Sequence, residues 1–233
     1  MNIIWLGHGS FRIEIGDQIL LVDPWLTDNP VFPTAKRDEA VAGTTHILLT
    51  HGHSDHVADV LEVAATTGAP IIAIADLAGY LHKTQGAQTI GINKGGTLRL
   101  GNVAVTMVNA SHSSTLAGPD GLVAVGSEAG FMIAGEGHVI YFSGDTDIMA
   151  DMAWMGELHA PDIGILSAGG HYTMDMSRAA WAAKKYFHFE TVIPCHYRTF
   201  PLLEQNADAL KAGLPGVDVI EPDVLVPITI AAK

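Results

Sequence analysis

Cysteine is almost missing from this chain: Cys195 is the single one in 233 residues. One thiol cannot close an internal disulfide, so the fold must rest on its core, and thiol poverty fits the cytoplasm. Charge is also scarce. Asp, Glu, Lys and Arg make up 16% of the chain against 48% hydrophobic residues. That balance excludes disorder and implies apolar strands covered by helices. Basic residues are scarcest, with 12 Lys and Arg against 25 Asp and Glu, for a net charge of -13. Polyanions would be repelled, so neither nucleic acid nor an anionic membrane is an expected partner. No run of 18 apolar residues occurs, and Met1 to His8 carry no basic leader, so neither a transmembrane helix nor a signal peptide is expected. Low-complexity tracts, solenoid periods and linkers are absent as well.

The apolar residues present are arranged mostly as short strands. Runs at 3–6, 11–15 and 19–22 predict a β meander, with Gly16-Asp17 as a turn. A polar loop is expected to about Gly43, then a buried strand over 46–50 and a helix over 55–65. A strand at 71–75 and a helix from Asp76 to about Lys83 complete the first half. The second half predicts a strand at 103–108, a loop over 109–120, and hairpin strands at 123–134 and 138–143. Strands at 163–166 and 191–194 flank a helix over 176–187. The tail should add a helix over 203–211 and short strands near Val219 and Leu225. Mixed hairpins and βα steps predict an α+β chain of two mixed sheets packed together with outer helices. One domain over 1–233 is expected, its second half, roughly 111–233, repeating the logic of 1–110.

Chemistry concentrates in His51-Gly-His53-Ser-Asp55-His56. In an extended loop alternate side chains share a face, so His51, His53 and Asp55 can converge while His56 turns back at a helix start. Imidazole and carboxylate suit zinc, manganese or iron. Further candidates each follow a strand: His112, Asp145 in Ser143-Gly-Asp145-Thr, and His196 in Pro194-Cys-His196-Tyr. The strand-end position is where sheet enzymes place catalytic groups. His8 and His171 lie beside glycines, where backbone can approach a ligand closely, and are read as pocket-lining, substrate-binding residues. His46, His82, His138, His159 and His188 fall outside the strand-end pattern and are read as structural or surface. Cys195 should point away from the site as a core thiol.

These residues resemble the metallo-β-lactamase superfamily, with its His-x-His-x-Asp-His loop followed by a later His, an Asp and a final His. The resemblance implies an αββα sandwich of two pseudo-symmetric halves. It implies one divalent ion held by His51, His53 and His112, a second held by Asp55, His56 and His196, and Asp145 bridging both. Asp23, in Asp23-Pro-Trp, resembles the acid behind the histidine loop that orients it. A narrower likeness rests on Trp5-Leu-Gly-His8, Gly169-Gly-His171-Tyr-Thr-Met and His196-Tyr-Arg-Thr-Phe-Pro201. These are similar to the small metal-dependent hydrolases related to ascorbate-phosphate lactonases. Arg198 stands where Asn or Gly would be expected.

Two divalent ions, zinc or manganese first and iron as an option, would lower the pKa of a bridging water from 15.7 to roughly 7 and make hydroxide at neutral pH. The expected activity is hydrolysis of a small, anionic lactone, ester or phosphodiester, with Asp55, Asp145 and His171 as catalytic residues. Arg198, two residues after His196, is expected to grip the substrate anion. An RNA nuclease and an iron-binding redox protein are the competing readings; the acidic balance opposes the first, and the missing room for a flavin domain opposes the second. A homo-oligomer is compatible with the apolar composition.

Overall fold

The computed structural model describes residues 1–118 and 120–233. Its first strands follow the meander: β1 (Asn2–Gly7), β2 (Ser10–Ile15) and β3 (Gln18–Val22) pair antiparallel in order. Their inward residues, Ile3, Trp5, Phe11, Ile13, Leu20 and Val22, are fully buried. Next comes α1 (Arg37–Val41), inside the stretch expected to be a polar loop. Too short to show a helical period, it buries only Ala40 and Val41. Then β4 (His46–Leu48) joins β3 in parallel, and the single helix expected over 55–65 divides into α2 (Ser54–Val57) and α3 (Val60–Thr67). β5 (Ile71–Ile74), α4 (Ala75–Gln85) and β6 (Thr89–Ile92) finish this unit as a βαβ step.

The second sheet starts at β7 (Thr97–Leu100) and β8 (Val103–Asn109). The chain therefore changes sheets between Ile92 and Thr97, earlier than the division near 110 expected from the sequence. β6 and β7 alternate polar and apolar residues, but each is only four residues long and partly exposed, too short a pattern to announce a strand. β9 (Thr115–Gly118) and β10 (Gly121–Ala124) form a separate hairpin in the stretch expected to be a loop. The strand expected over 123–134 is broken at Gly126, whose φ of 83° turns the chain, and resumes as β11 (Ala129–Gly135). β12 (His138–Phe142), α5 (Met152–His159), β13 (Ile163–Ser167), α6 (Met176–Tyr186) and β14 (Thr191–Cys195) follow. The tail helix, expected over 203–211, is α7 (Asp208–Gly213), because the Gln205 side chain closes a turn onto the Phe200 and Leu203 carbonyls. Short strands β15 (Asp218–Val219) and β16 (Pro227–Thr229) end the chain.

Two seven-stranded mixed sheets result, ordered β16-β1-β2-β3-β4-β5-β6 and β15-β14-β13-β12-β11-β8-β7. They pack face to face around one core, with Phe11 of the first sheet meeting Phe142 of the second edge to face at 5.7 Å. Helix α4 covers β5 and β6, and α6 covers β13, giving the αββα sandwich. Strand direction then places the site. β1, β3 and β4 run one way in the first sheet, as do β8, β12 and β14 in the second. Their C-terminal ends share one edge of the sandwich. Among the described residues no helix is long and apolar enough to cross a membrane.

Candidate metal centre

Each of those strand ends delivers a polar side chain. β4 runs out into His51 and His53, β8 into His112, β12 into Asp145 and β14 into His196. Asp23 follows β3, and His8 follows β1. One ligand atom each from His51, His53 and His112 lies within 4.8 Å of the others, and the same holds for His8, Asp55, His56 and His196. Asp145 stands between the groups. Its Oδ2 is 3.0 Å from His196 Nε2, 3.3 Å from His56 Nε2 and 3.7 Å from His112 Nε2. Asp55 leaves the His51/His53 group because Ser54–Val57 is helical; the two-residue period of an extended loop stops at His53.

Behind the ligands lies a buried acid. Asp23 Oδ1 accepts from the Thr50 amide at 2.8 Å, and Oδ2 accepts from Thr50 Oγ1 at 2.5 Å and from His56 Nδ1 at 2.7 Å. Thr50 Oγ1 in turn accepts from His51 Nδ1 at 2.9 Å. This fixes the proton of both imidazoles on Nδ1 and leaves Nε2 of each, facing the cavity, as the atom free to ligate. The sequence likeness places Asp23 behind the loop; Thr50, the relay to His51, carries no such signal.

The donor set fits divalent ions. Among the described residues, His56 Nε2 is buried without a hydrogen-bond partner, an arrangement a buried nitrogen keeps only when something else satisfies it. His51 Nε2 and His53 Nδ1 face each other at 3.0 Å. A mixed nitrogen and carboxylate set is the chemistry zinc and manganese accept.

Electrostatics agree. Burial opposes charge on His196, but Asp145 outweighs it and pushes the imidazole up to about 9. His56 is also raised, Asp145 and Asp23 overcoming its burial. Burial would raise Asp55, yet the hydrogen bond from His196 holds it well below the usual carboxylate range. His8 goes the other way: burial pushes it down to about 4, so it is neutral. Backbone strain collects at the same place, since His8, Asp23, His196 and Arg198 all have φ between 47° and 64°.

The centre opens into a cavity of about 640 Å³ lined by Trp25, Tyr172 and Phe200 on its aromatic side and by Ser54, Ser113 and Asp28 elsewhere. Trp25 and Phe200 stack at 6.1 Å. Among the described residues no lysine or arginine lines it. Two residues expected at the substrate stand elsewhere. His171 is exposed in a separate shallow groove with Gly169, Asp175 and Glu204. Its neighbour Tyr172 takes the place at the cavity instead. Arg198 lies over the Trp5 and Tyr197 rings, 5.5 Å from each centroid, and 3.9 Å from Asp223. Its expected direction rests on an extended segment, but His196 and Arg198 are left-handed and the alternation breaks. Cys195 is buried, while His138 pairs with Asp162 well away from the centre.

Comparison with known proteins agrees with this geometry. Residues 18–225 match the family described as the beta-lactamase superfamily domain. The chain belongs to the metallo-β-lactamase superfamily. Within this superfamily it is 65% identical over 230 residues to a UPF0173 metal-dependent hydrolase of Cereibacter sphaeroides, covering 99% of this chain and 100% of that one. A Paracoccus denitrificans relative of the same description is 64% identical, covering 98% and 99%. Among solved structures, Igni18, a metallo hydrolase from Ignicoccus hospitalis, superposes with a TM-score of 0.83 at 34% identity over 98% of both chains. This superfamily member is accordingly a metal-dependent hydrolase with a two-sheet sandwich fold.

Proposed function

We propose that this hydrolase works with two divalent ions, zinc or manganese, on a small, electrically neutral ester or lactone that carries an apolar or aromatic portion. The observation that carries the proposal is the cavity wall: among the described residues it has three aromatic rings, no cationic lysine or arginine, and a third carboxylate, Asp28, beside Asp55 and Asp145. An anionic substrate would meet no guanidinium or ammonium there, which removes the ground for expecting anion recognition through Arg198. Bound divalent ions supply an acidified water and a Lewis acid. The chain's own groups do the rest. Asp145 would join the two ligand groups, and Asp23 holds His51 and His56 in the ligating tautomer. The Trp25–Phe200 stack offers the apolar part of a substrate a flat wall beside the ions, excluding water from the scissile bond. Ser54 and Ser113 offer hydroxyls for the substrate's polar end.

A panel of neutral aryl and alkyl esters and lactones, with phosphodiesters and carboxylate-bearing analogues, assayed with zinc or manganese, tests this. Neutral substrates should exceed charged ones by at least about tenfold in kcat/KM. Trp25→Ala should raise KM for aryl substrates roughly tenfold, since an aromatic contact contributes about 0.5–1.5 kcal/mol beyond area burial. Preference for a phosphodiester would overturn the reading.

A further inference from the structure

The residues that the superfamily resemblance assigns to the second ion are Asp55, His56 and His196. The structure sets a fourth donor among them. His8 is 1% exposed, its Nε2 lies 2.9 Å from Asp55 Oδ2, and its ring centroid is 3.8 Å from that of His196. The His8 carbonyl accepts from the His196 amide at 3.0 Å and from Trp5 Nε1 at 2.9 Å, so its backbone is fixed to that of a neighbouring ligand. Gly9 lets the turn lie flat on His56: a Cβ there would stand 2.8 Å from His56 Cε1.

The orientation of the ring repeats a construction already present at the centre. His51 Nδ1 meets the hydroxyl of Thr50 at 2.9 Å, and that hydroxyl donates onward to Asp23. His8 Nδ1 meets the hydroxyl of Thr199 at 2.9 Å, and that hydroxyl donates onward to the Tyr197 carbonyl at 3.2 Å. In both chains of donation Nδ1 carries the proton and Nε2 keeps a lone pair. For His8 that lone pair points at a carboxylate oxygen 2.9 Å away, two electron-rich atoms that a cation would hold together.

We propose that His8 is an additional metal ligand, binding the second ion through Nε2 together with Asp55, His56 and His196. This rests on the two-ion reading above. It makes the second ion's set three imidazoles and a carboxylate before Asp145 is counted, a set as nitrogen-rich as the first. The second ion would then be the more firmly held of the two.

Cadmium-113 replaces the native ions as a probe in full-length protein labelled with ¹⁵N-histidine. One-bond cadmium–nitrogen coupling at His8 Nε2 is the expected result, alongside coupling at His56 and His196. A proton found on His8 Nε2 in the loaded protein would overturn the ligand assignment, because the ring would then be donating to Asp55. Coupling at His56 and His196 without His8 defeats this proposal alone; failure to bind cadmium at all defeats the two-ion reading with it. In a zinc competition titration, His8→Ala should weaken one of two ions by at least about 100-fold and leave the other within about threefold. Thr199→Val, which keeps the ligand and removes only its orienting hydroxyl, should weaken the same ion by roughly tenfold. Equal weakening of both ions in each variant would refute the assignment.

Discussion

Replacing Asp23 by asparagine changes one atom's chemistry and almost no volume, yet the hydrogen-bond network gives it a long reach. Oδ2 of Asp23 accepts from both Thr50 Oγ1 and His56 Nδ1. An amide nitrogen in that position can only donate. His56 must then accept at Nδ1 and carry its proton on Nε2, pointing N–H at the ion. The Thr50 hydroxyl must accept from the new amide and donate to His51 Nδ1 instead, which inverts His51 as well. A single substitution therefore turns one imidazole in each ligand group to the wrong tautomer. Outer partners of metal-bound histidines are worth about 10- to 100-fold in affinity, so each ion should weaken by about 1.4–2.8 kcal/mol. The fold should persist, since every buried donor keeps an acceptor once the polarity is reversed. Chelator-competition titration with zinc, paired with thermal unfolding of the metal-free protein, reads both effects. Asp23→Asn binding both ions within about threefold of the parent would refute the tautomer argument; collapse of the metal-free fold would show that the carboxylate acts on stability instead.

Two further outcomes follow from the same geometry. Arg198→Met should leave KM for every substrate within about twofold, while costing about 0.5–1 kcal/mol of stability through lost stacking on Trp5 and Tyr197; a KM rise confined to anionic substrates would return Arg198 to the substrate site. In the metal-free protein, His196 titrates at about 9 and His56 is also raised, so zinc loading at pH 7 should release close to two protons per chain, falling as pH passes 9. These raised values stabilise the metal-free fold fully below the ordinary histidine value near 6.5, and that contribution is lost as pH rises through about 9. Buffer-dependent calorimetry and pH-dependent unfolding check both; no proton release at pH 7 would mean that the two imidazoles are already neutral.

Much of the fold is legible because its strands are buried and short. The meander over β1–β3 and the strands β12, β13 and β14 carry apolar runs bounded by turn residues, alternating with Arg12 and Glu14 in β2, and these agree with the structure to within a few residues. The elements with no clear signal are those whose stability comes from neighbours. β6, β7, β9 and β10 are largely exposed or half-exposed and only four residues long each, so none carries a run long enough to stand out. Helix α5 is apolar on its outer face too, with Trp154 and Leu158 exposed, which blurs its period.

At the site, strand ends are a better guide than side-chain alternation. His112, Asp145 and His196 can be singled out because each follows an apolar run, and parallel strand direction carries them to one edge without any need to know where each side chain points. His8 obeys the same rule at the end of β1, and that position, rather than the glycines beside it, is the signal that ties it to the centre. Alternation fails wherever the chain leaves the extended region: at Asp55, which is helical, and at Arg198, reached through the left-handed His196. Such conformations are costly for residues other than glycine and persist where the surrounding contacts enforce them. Here the contacts are identifiable, since the His196 amide is tied to the His8 carbonyl and the Arg198 amide to Glu204. The strain that defeats a local reading of the sequence is the same strain that turns His196 Nε2 toward Asp145 and Asp55, so the residues hardest to place from pattern are those on which the centre depends.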